Sequence, residues 1–379
     1  MRSTIYLATF FFTLHYAFLL YINSSFLGRI FSEQMINTLY TLGSILAIVG
    51  LSHTSRIVNQ HGLYRITLGM LGVAALASIG LGNMQFPIFV AVLFLLVYTL
   101  SILIRYCTDL YLEATSTDRE TGNIRGTQLT VINVAIAISP FIVGKLISIY
   151  SFELVYILAG LLLVPTIALI AIKPEMARNV STSHHSLNKT ITAIRRDRDI
   201  FNIFICTFLL EFFYAWMVIY TPLYLSTEIG FSWDEIGTTF SIMLIPFVIL
   251  ELPLGRIADK LYGEKELLIS GFFIMGLFTA SLAYLSTPSI PVWATVLFMT
   301  RVGAAIVEIM SESYFFKHVS VKDADEISIF RDARPLAFII APLGASALLG
   351  LTGIPGLYIA LGILMWCGMF FAFRIRDTK

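Results

Sequence analysis

Charged side chains are scarce in this sequence: Asp, Glu, Lys and Arg together make up 13% of its 379 residues. That is about half the usual share of a soluble domain. Hydrophobic residues make up 57%, and the mean hydropathy is +0.83. No single core of a soluble domain of this length can bury so much apolar surface. The composition therefore excludes an ordinary soluble enzyme and a disordered chain, and it indicates an all-α membrane protein.

Patterns that carry catalytic or metal chemistry are also missing. The three cysteines, Cys107, Cys206 and Cys367, are far apart in apolar runs, which disfavours a disulfide or a metal site. The histidines are scattered, and no phosphate-binding G-x-x-x-x-G-K-(S/T) motif occurs. The net charge of +1 gives no broad basic field for nucleic acid. We therefore expect no metal, no cofactor, no nucleic-acid partner and no enzymatic reaction.

Long apolar runs alternate with short polar segments along the whole chain. A membrane-spanning helix needs roughly 20 mostly apolar residues. The sequence predicts twelve spans, at about 4–22, 35–52, 66–82, 88–108, 127–147, 153–172, 201–221, 234–254, 267–286, 291–311, 333–351 and 356–373. Most Lys and Arg fall in the loops on one side of these spans, which predicts that both termini are cytoplasmic. We expect a multi-pass protein of the plasma membrane, which is the inner membrane if the cell is bacterial.

The two halves of the chain resemble each other at a nearly constant offset. Phe31-Ser32 precedes the second span, and Phe231-Ser232 precedes the eighth. A six-plus-six repeat is typical of transporters whose solute site lies between two bundles. The repeat predicts three regions: an N-terminal six-helix bundle at 1–172, a cytoplasmic linker at 173–200 and a C-terminal six-helix bundle at 201–379.

A loop motif makes the resemblance to a known family specific. Residues 255–265, between spans 8 and 9, read Gly-Arg-Ile-Ala-Asp-Lys-Leu-Tyr-Gly-Glu-Lys. This resembles the loop signature G-x-x-x-D-(R/K)-x-G-x-(R/K)-(R/K) of the major facilitator superfamily, with one extra residue before the second glycine. Residues 55–65, between spans 2 and 3, keep the spacing but lack the acid. The resemblance implies two pseudo-symmetric bundles and a secondary active transporter that moves a small solute by alternating access.

The resemblance also implies a latch that holds the two bundles together in one state. An aspartate at the end of span 8 is stabilised when it faces the N-terminus of another helix. Asp259 would do this here, with Arg334 near the start of span 11, whereas Asn59 in the first half could only form hydrogen bonds. The predicted latch residues are Arg56, Asn59, Gly62, Gly255, Arg256, Asp259, Lys260 and Arg334.

Ionisable side chains away from the span ends are few, since each costs about 2.5–3.5 kcal/mol to insert. They fall in spans 1, 4, 7 and 10, which line the cavity in the family that the motif resembles. Glu211 is the leading candidate for a proton-carrying carboxylate, because burial favours its neutral form. Arg301 would keep it ionised or bind an anionic solute group, and His15 titrates near neutral pH. The predicted cavity set is His15, Tyr16, Glu211, Tyr214, Trp216 and Arg301.

Two pairs of charged residues, each one helical turn apart, lie near the cytoplasmic ends of spans 4 and 10. Arg105 and Asp109 have opposite charges, whereas Glu308 and Glu312 have like charges. Two carboxylates on one helix face need a cation between them or a bound proton. We expect these four residues to act at a gate. The candidate cations are Arg301 and Lys317.

Several functions remain open on the sequence alone. Of the span-5 motif typical of drug-efflux antiporters, Pro140 and Gly144 are present, so efflux and uptake are both compatible with the chain. A facilitative uniporter and a transport-inactive membrane sensor or scaffold are the alternatives to a proton-coupled transporter. The partners that we expect are a small-molecule solute, protons and the lipid bilayer, and we expect the protein to be a monomer.

Overall fold

The computed structural model describes residues 2–84, 86–115, 121–173, 197–257, 264–318 and 324–376. Within these ranges every regular element is a helix, and no strand occurs. The hydrocarbon core of a membrane offers the backbone no hydrogen-bond partner. A helix satisfies its own N–H and C=O groups along its length, so an apolar chain of this kind is expected to be helical throughout its spans.

Thirteen α-helices follow one another in the described ranges. They are α1 Arg2–Leu20, α2 Asn23–Gly28, α3 Glu33–His61, α4 Leu63–Leu81, α5 Pro87–Thr115, α6 Thr121–Ile149, α7 Phe152–Leu161, α8 Leu163–Ala171, α9 Arg198–Thr227, α10 Trp233–Ile257, α11 Glu264–Ser281, α12 Ile290–His318 and α13 Ala324–Arg374. Among the described residues, eleven segments are long and apolar enough to cross a membrane. The segment Ser3–Gly28 joins α1 and α2, and Phe152–Ala171 joins α7 and α8.

The eleventh segment runs from Asp332 to Arg374 and covers the last two predicted spans. Its 43 residues exceed the length that one span needs. The helix is interrupted at Gly353, where φ is 65° and ψ is −172°. Glycine adopts this positive φ without the steric penalty of a side chain. The predicted count of twelve spans is therefore consistent with the structure, since α13 consists of two spanning helices that meet at Gly353.

The repeated Phe-Ser pair marks a helix start in both halves. Ser32 lies immediately before α3, and its hydroxyl accepts a hydrogen bond from the N–H of Met35 at 3.4 Å. Ser232 lies before α10, where its hydroxyl accepts from the N–H of Glu235 at 3.4 Å and the Glu235 carboxylate accepts from the N–H of Ser232 at 2.8 Å. This reciprocal pair is a capping box.

The chain divides into two compact units. Unit 1 consists of Met1–His184 and Ser232–Thr238, and unit 2 consists of His185–Phe231 and Thr239–Lys379. The grouping of the first turn of α10 with unit 1 was not predicted. Its contacts explain it, because the Asp234 N–H donates to Ser148 Oγ at 2.9 Å.

Within unit 1, α1 packs against α6 and α8, α4 packs against α5 and α7, and α3 packs against α5. Buried apolar side chains fill the space between these helices, among them Leu71, Ile104 and Leu163. Leu76 and Ile88 are exposed on α4 and α5, and a membrane protein presents such side chains to lipid. The unit therefore has a packed interior and an apolar exterior.

Within unit 2, α9 packs mainly against α13, and α11 packs against α12 and α13. Glycines permit the close approach of α11 and α12. A Cβ atom on Gly303 would lie 2.6 Å from the backbone N of Met275 and 2.7 Å from the carbonyl oxygen of Gly271. In a membrane, where lipid is as apolar as leucine, such close packing is a main source of helix association.

We expect Gly303→Leu to destabilise unit 2, because the added side chain must push α11 away from α12. Overpacking of this kind typically costs about 1–3 kcal/mol. The measurement is the thermal unfolding midpoint of the detergent-purified protein. Gly69→Leu is the matched control, since a Cβ at Gly69 would meet nothing within 4 Å. An equal midpoint for the two variants would contradict the close contact at Gly303.

Candidate functional site

Five polar or charged side chains of unit 2 form a connected cluster, which we call the α9–α12–α13 cluster. It consists of Glu211 and Tyr214 on α9, Arg301 and Glu308 on α12, and Arg334 on α13. Glu211 and Tyr214 are three residues apart, and Arg301 and Glu308 are seven apart, so each pair lies on one face of its helix. The sequence predicted four of the five for the cavity or the gate, and it assigned Arg334 to the latch.

Glu211 and Arg334 form an ion pair between α9 and α13. Arg334 Nε lies 3.6 Å from Glu211 Oε2. The carboxylate side chain is 17% exposed and the arginine side chain is 36% exposed. The pair is thus partly shielded from solvent, where the attraction between opposite charges is stronger than at an open surface. Sequence reasoning missed this pair because 123 positions separate its members.

Arg301 is a buried cation with aromatic neighbours. Its residue is 1% exposed, and its guanidinium carbon lies 4.9 Å from the ring centre of Phe213 and 5.8 Å from that of Tyr214. A cation over an aromatic face is stabilised by the electron density of the ring. Among the described residues, Nη1 of Arg301 has no hydrogen-bond partner. Its guanidinium therefore lies between the aromatic rings of α9, and a role in the central cavity stays a prediction.

Tyr214 connects α9 to α12. Its hydroxyl donates a hydrogen bond to Glu308 Oε2 at 2.6 Å. Hydrogen bonds to a carboxylate are shorter and stronger than those between neutral groups. The hydroxyl also lies within electrostatic range of Glu211 and Arg301. Glu308, predicted as half of an acidic gate pair, is therefore part of the same cluster as Glu211.

The cluster can respond to a proton. With both carboxylates ionised, the charges of Glu211, Glu308, Arg301 and Arg334 sum to zero. Protonation of one carboxylate leaves one excess positive charge in a region of low dielectric constant, which is costly unless another group compensates. An anionic group or a movement of Arg334 towards solvent would compensate it. The four charges of the cluster are therefore balanced only while both carboxylates are ionised.

Of the three other predicted cavity residues, two are buried between helices and one is half-buried. His15 is fully buried in unit 1, and its Nδ1 donates to the carbonyl oxygen of Ala159 at 2.9 Å. Trp216 is buried in unit 2, and its Nε1 donates to the carbonyl oxygen of Ala341 at 2.6 Å. Tyr16 is half-buried. For His15 and Trp216 the geometry favours an interhelical hydrogen bond over contact with a solute.

The predicted latch is described in part. Gly62 separates α3 from α4 with φ at 84°, a conformation that suits glycine, and Arg56 and Asn59 are exposed at the end of α3. Gly255 and Arg256 lie in the last turn of α10, and Asp259 and Lys260 lie outside the described residues. Arg334 pairs with Glu211, and the suggested partnership of Asp259 with Arg334 stays a prediction.

The remaining predicted gate residues lie on α5 and α12. Arg105 is exposed on α5, and Asp109 accepts a hydrogen bond from Nε2 of Gln128 at 3.4 Å. Glu312 is exposed on α12. Each has a place near a helix end, as predicted from the sequence, and a gate role stays a prediction.

Lys317 was a candidate cation for the Glu308–Glu312 pair, and the structure places it elsewhere. Its Nζ donates to Oε1 of Glu264 at 2.5 Å, and the hydroxyl of Ser313 donates to the same oxygen at 3.1 Å. Glu264 is fully buried at the start of α11. Its position directly after the second glycine of the loop motif is the sequence signal that could have identified it. This network joins α11 to α12.

Comparisons with known proteins agree with this architecture. A family model described as Major Facilitator Superfamily matches residues 5–330 and 203–379. The crystal structure of the nucleoside transporter NupG is similar, with a TM-score of 0.76, 12% identity and coverage of 99% of both chains. A mutant of NupG gives a TM-score of 0.77 at 14% identity and 98% coverage of both chains. None of the curated protein sequences matches significantly.

The bond between Tyr214 and Glu308 can be tested by a double-mutant cycle. We expect Tyr214→Phe to lower the unfolding free energy by about 1.5–3 kcal/mol, the usual range for a hydrogen bond to a charged group. In the Glu308→Gln background the same change should cost less, because the charge of the acceptor is gone. Unfolding in detergent measures both. Tyr150→Phe is the control, since Tyr150 is exposed. Costs that add within about 0.5 kcal/mol would show that the two residues are not coupled.

Proposed function

Because the chain belongs to the major facilitator superfamily, we propose that it is a proton-coupled secondary transporter whose proton-carrying carboxylate is Glu211. The family and the fold support transport of a small solute across a membrane. The observation that carries the coupling is the partly shielded Glu211–Arg334 ion pair between α9 and α13. The protein moves its solute by alternating access and makes or breaks no covalent bond.

The ion pair gives the proton a structural effect. Ionised Glu211 holds Arg334 and thereby ties the first part of α13 to α9. A proton on Glu211 removes the attraction and leaves the guanidinium to seek another anion or water. Binding of a proton and release of α13 are therefore linked at this site.

The other cluster residues set the conditions for this step. Arg301 supplies a fixed positive charge that favours ionised carboxylates nearby. The hydrogen bond from Tyr214 stabilises the ionised form of Glu308, and we assign Glu308 a fixed negative charge in this mechanism. We assign His15 to the packing of unit 1 and leave it out of the coupling, because its ring is fully buried and bonds to the backbone of Ala159.

The solute has to be found by experiment, and nucleosides are the first compounds to test. The similar solved structures are of a nucleoside transporter, and the likeness to them extends over nearly all of both chains. The cluster also pairs charged groups with aromatic rings, a combination that suits a ligand with a flat ring and polar substituents. A bound solute raises the unfolding temperature by mass action, so uridine and adenosine can be screened on the purified protein.

We expect Glu211→Gln to abolish proton-driven accumulation while solute exchange across the membrane persists. The neutral amide cannot carry the proton, but it leaves the shape of the site nearly unchanged. The measurement is uptake by proteoliposomes of a solute found in the screen, with and without a pH gradient, and then counterflow without a gradient. With a pH gradient, accumulation by Glu211→Gln should fall to the level that the wild type reaches without one.

Glu153→Gln is the matched control for this experiment. Glu153 pairs with Arg29 at 3.0 Å on the exposed surface of unit 1, so its loss should leave accumulation unchanged. Proton-driven accumulation that survives in Glu211→Gln would show that the coupling assignment is wrong. A wild-type protein that binds the solute but shows no flux would instead favour a transport-inactive sensor. Flux that ignores the pH gradient would favour a uniporter.

A further inference from the structure

A second group of charged side chains lies where α9 begins and α13 ends, within unit 2. It lines a pocket of about 300 Å³ and has no part in the transport cycle proposed above. We call it the arginine pocket. Its lining residues are Asp197, Arg198, Asp199, Arg374 and Arg376.

The two carboxylates of the pocket already have partners. Asp197 Oδ1 accepts hydrogen bonds from the N–H groups of Asp199 at 2.9 Å and Ile200 at 3.2 Å, and so caps α9. Asp199 Oδ1 accepts from the N–H of Arg376 at 3.2 Å, and its Oδ2 lies 3.6 Å from Arg376 Nε. Both carboxylates therefore bond to the protein itself.

The three guanidinium groups are turned to the outside. The Arg376 side chain is 90% exposed, and Arg198 and Arg374 are exposed as well. Arg374 lies over the ring of Phe370, with its guanidinium carbon 4.7 Å from the ring centre. Arg198 occupies the first turn of α9, where the helix dipole disfavours a cation and favours an anion. A bound anion would relieve that conflict.

The pocket adjoins a surface that faces lipid. Phe370 and Phe373 are largely exposed in the last turns of α13, within a segment apolar enough to span the membrane. The helix then ends in Arg374, so apolar rings are followed directly by guanidinium groups. The order of apolar rings and then guanidinium groups along the helix matches the order of acyl chain and phosphate in a phospholipid. Basic pockets at the ends of membrane helices bind anionic headgroups by the same chemistry.

We propose that the arginine pocket binds the phosphate group of an anionic phospholipid whose acyl chains lie along Phe370 and Phe373. The five lining residues have a net charge of +1, from three arginines and two aspartates. One phosphodiester, with a charge of −1, neutralises it, whereas a free phosphate dianion would leave an excess negative charge. Guanidinium groups also match the paired oxygens of a phosphate in shape.

The bound lipid would strengthen the attachment of the end of α13. The hydroxyl of Tyr314, on α12, donates to the carbonyl oxygen of Arg376 at 3.1 Å. Together with Asp199, it holds the segment after α13 against α9 and α12. A phosphate bridging Arg198 of α9 and Arg374 of α13 adds a further connection between the same helices. Lipid binding should therefore raise the thermal stability of the protein.

The test uses the full-length protein, stripped of lipid in detergent and titrated with phosphatidylglycerol or phosphatidylcholine. Retained lipid is counted by native mass spectrometry, and the unfolding midpoint is followed in parallel. We compare the wild type with Arg198→Gln/Arg374→Gln/Arg376→Gln. Each arginine near a membrane surface contributes roughly a factor of five to anionic lipid binding, so the triple variant should bind phosphatidylglycerol on the order of 100-fold more weakly. Phosphatidylcholine should bind weakly to both.

The matched control is Arg29→Gln/Arg65→Gln/Lys145→Gln, which removes three exposed cations of unit 1. It should bind phosphatidylglycerol as the wild type does. Equal weakening in both triple variants, or unchanged binding in the arginine-pocket variant, would overturn the proposal. Protection by inorganic phosphate or glycerol phosphate as strong as that by phosphatidylglycerol would also overturn it, in favour of a free-anion site. If the triple variant does not fold, Arg198→Gln alone should weaken binding about fivefold, and unchanged binding would count against the pocket.

Discussion

A buried positive charge fixes the arrangement of the C-terminal unit. Arg301 is almost entirely enclosed, and a charge at membrane depth is costly unless opposite charge or a polarisable face surrounds it. The rings of Phe213 and Tyr214 on α9 supply that face, and Tyr214 in turn donates a hydrogen bond to the carboxylate of Glu308. The register between α9 and α12 therefore keeps these two rings beside Arg301. A sliding of one helix by a turn would separate the cation from its compensating groups.

Glycine contacts make this arrangement possible without a large apolar driving force. Between helices in lipid, association depends on close packing more than on the removal of apolar surface from water. Gly271 and Gly303 allow α11 and α12 to approach until their backbones touch. A similar contact occurs between α11 and the last part of α13, where the ring of Trp366 would clash with a Cβ on Gly276. The α9–α12–α13 cluster is thus held by helices whose close packing keeps them together.

Local signals in the sequence predicted the helices well, because a helix satisfies its hydrogen bonds locally. The apolar runs predicted the spans, and the repeat placed Ser32 and Ser232 just before spans 2 and 8, where they cap α3 and α10. The cost of burying charge also singled out Glu211 and Arg301 from the composition of their spans. Each of these predictions depends only on residues close in the sequence or on the lipid and water around the helix.

Partners across the fold could not be predicted in the same way. Arg334 pairs with Glu211 and Lys317 with Glu264, at separations that no periodicity relates. His15 was predicted as a cavity residue because it is ionisable and lies inside a span, and Trp216 because an aromatic ring beside a cavity suits an amphipathic solute. The structure satisfies Nδ1 of His15 and Nε1 of Trp216 with backbone carbonyls of other helices instead. Which carbonyl is available depends on helix packing, and packing is a property of the whole unit.

Among the described residues, two ion pairs connect α9 to α13 or to the segment just after it. They differ in how strongly solvent screens the attraction between their charges. Arg376, beyond the end of α13, meets Asp199 with a side chain that is 90% exposed, so water and salt screen the attraction and it adds little stability. Arg334 meets Glu211 where both groups are partly shielded, so a change in the charge of Glu211 is felt strongly. The exposed pair therefore positions the end of the chain. The shielded pair is the one at which, in the proposed mechanism, a proton would alter how α13 is held.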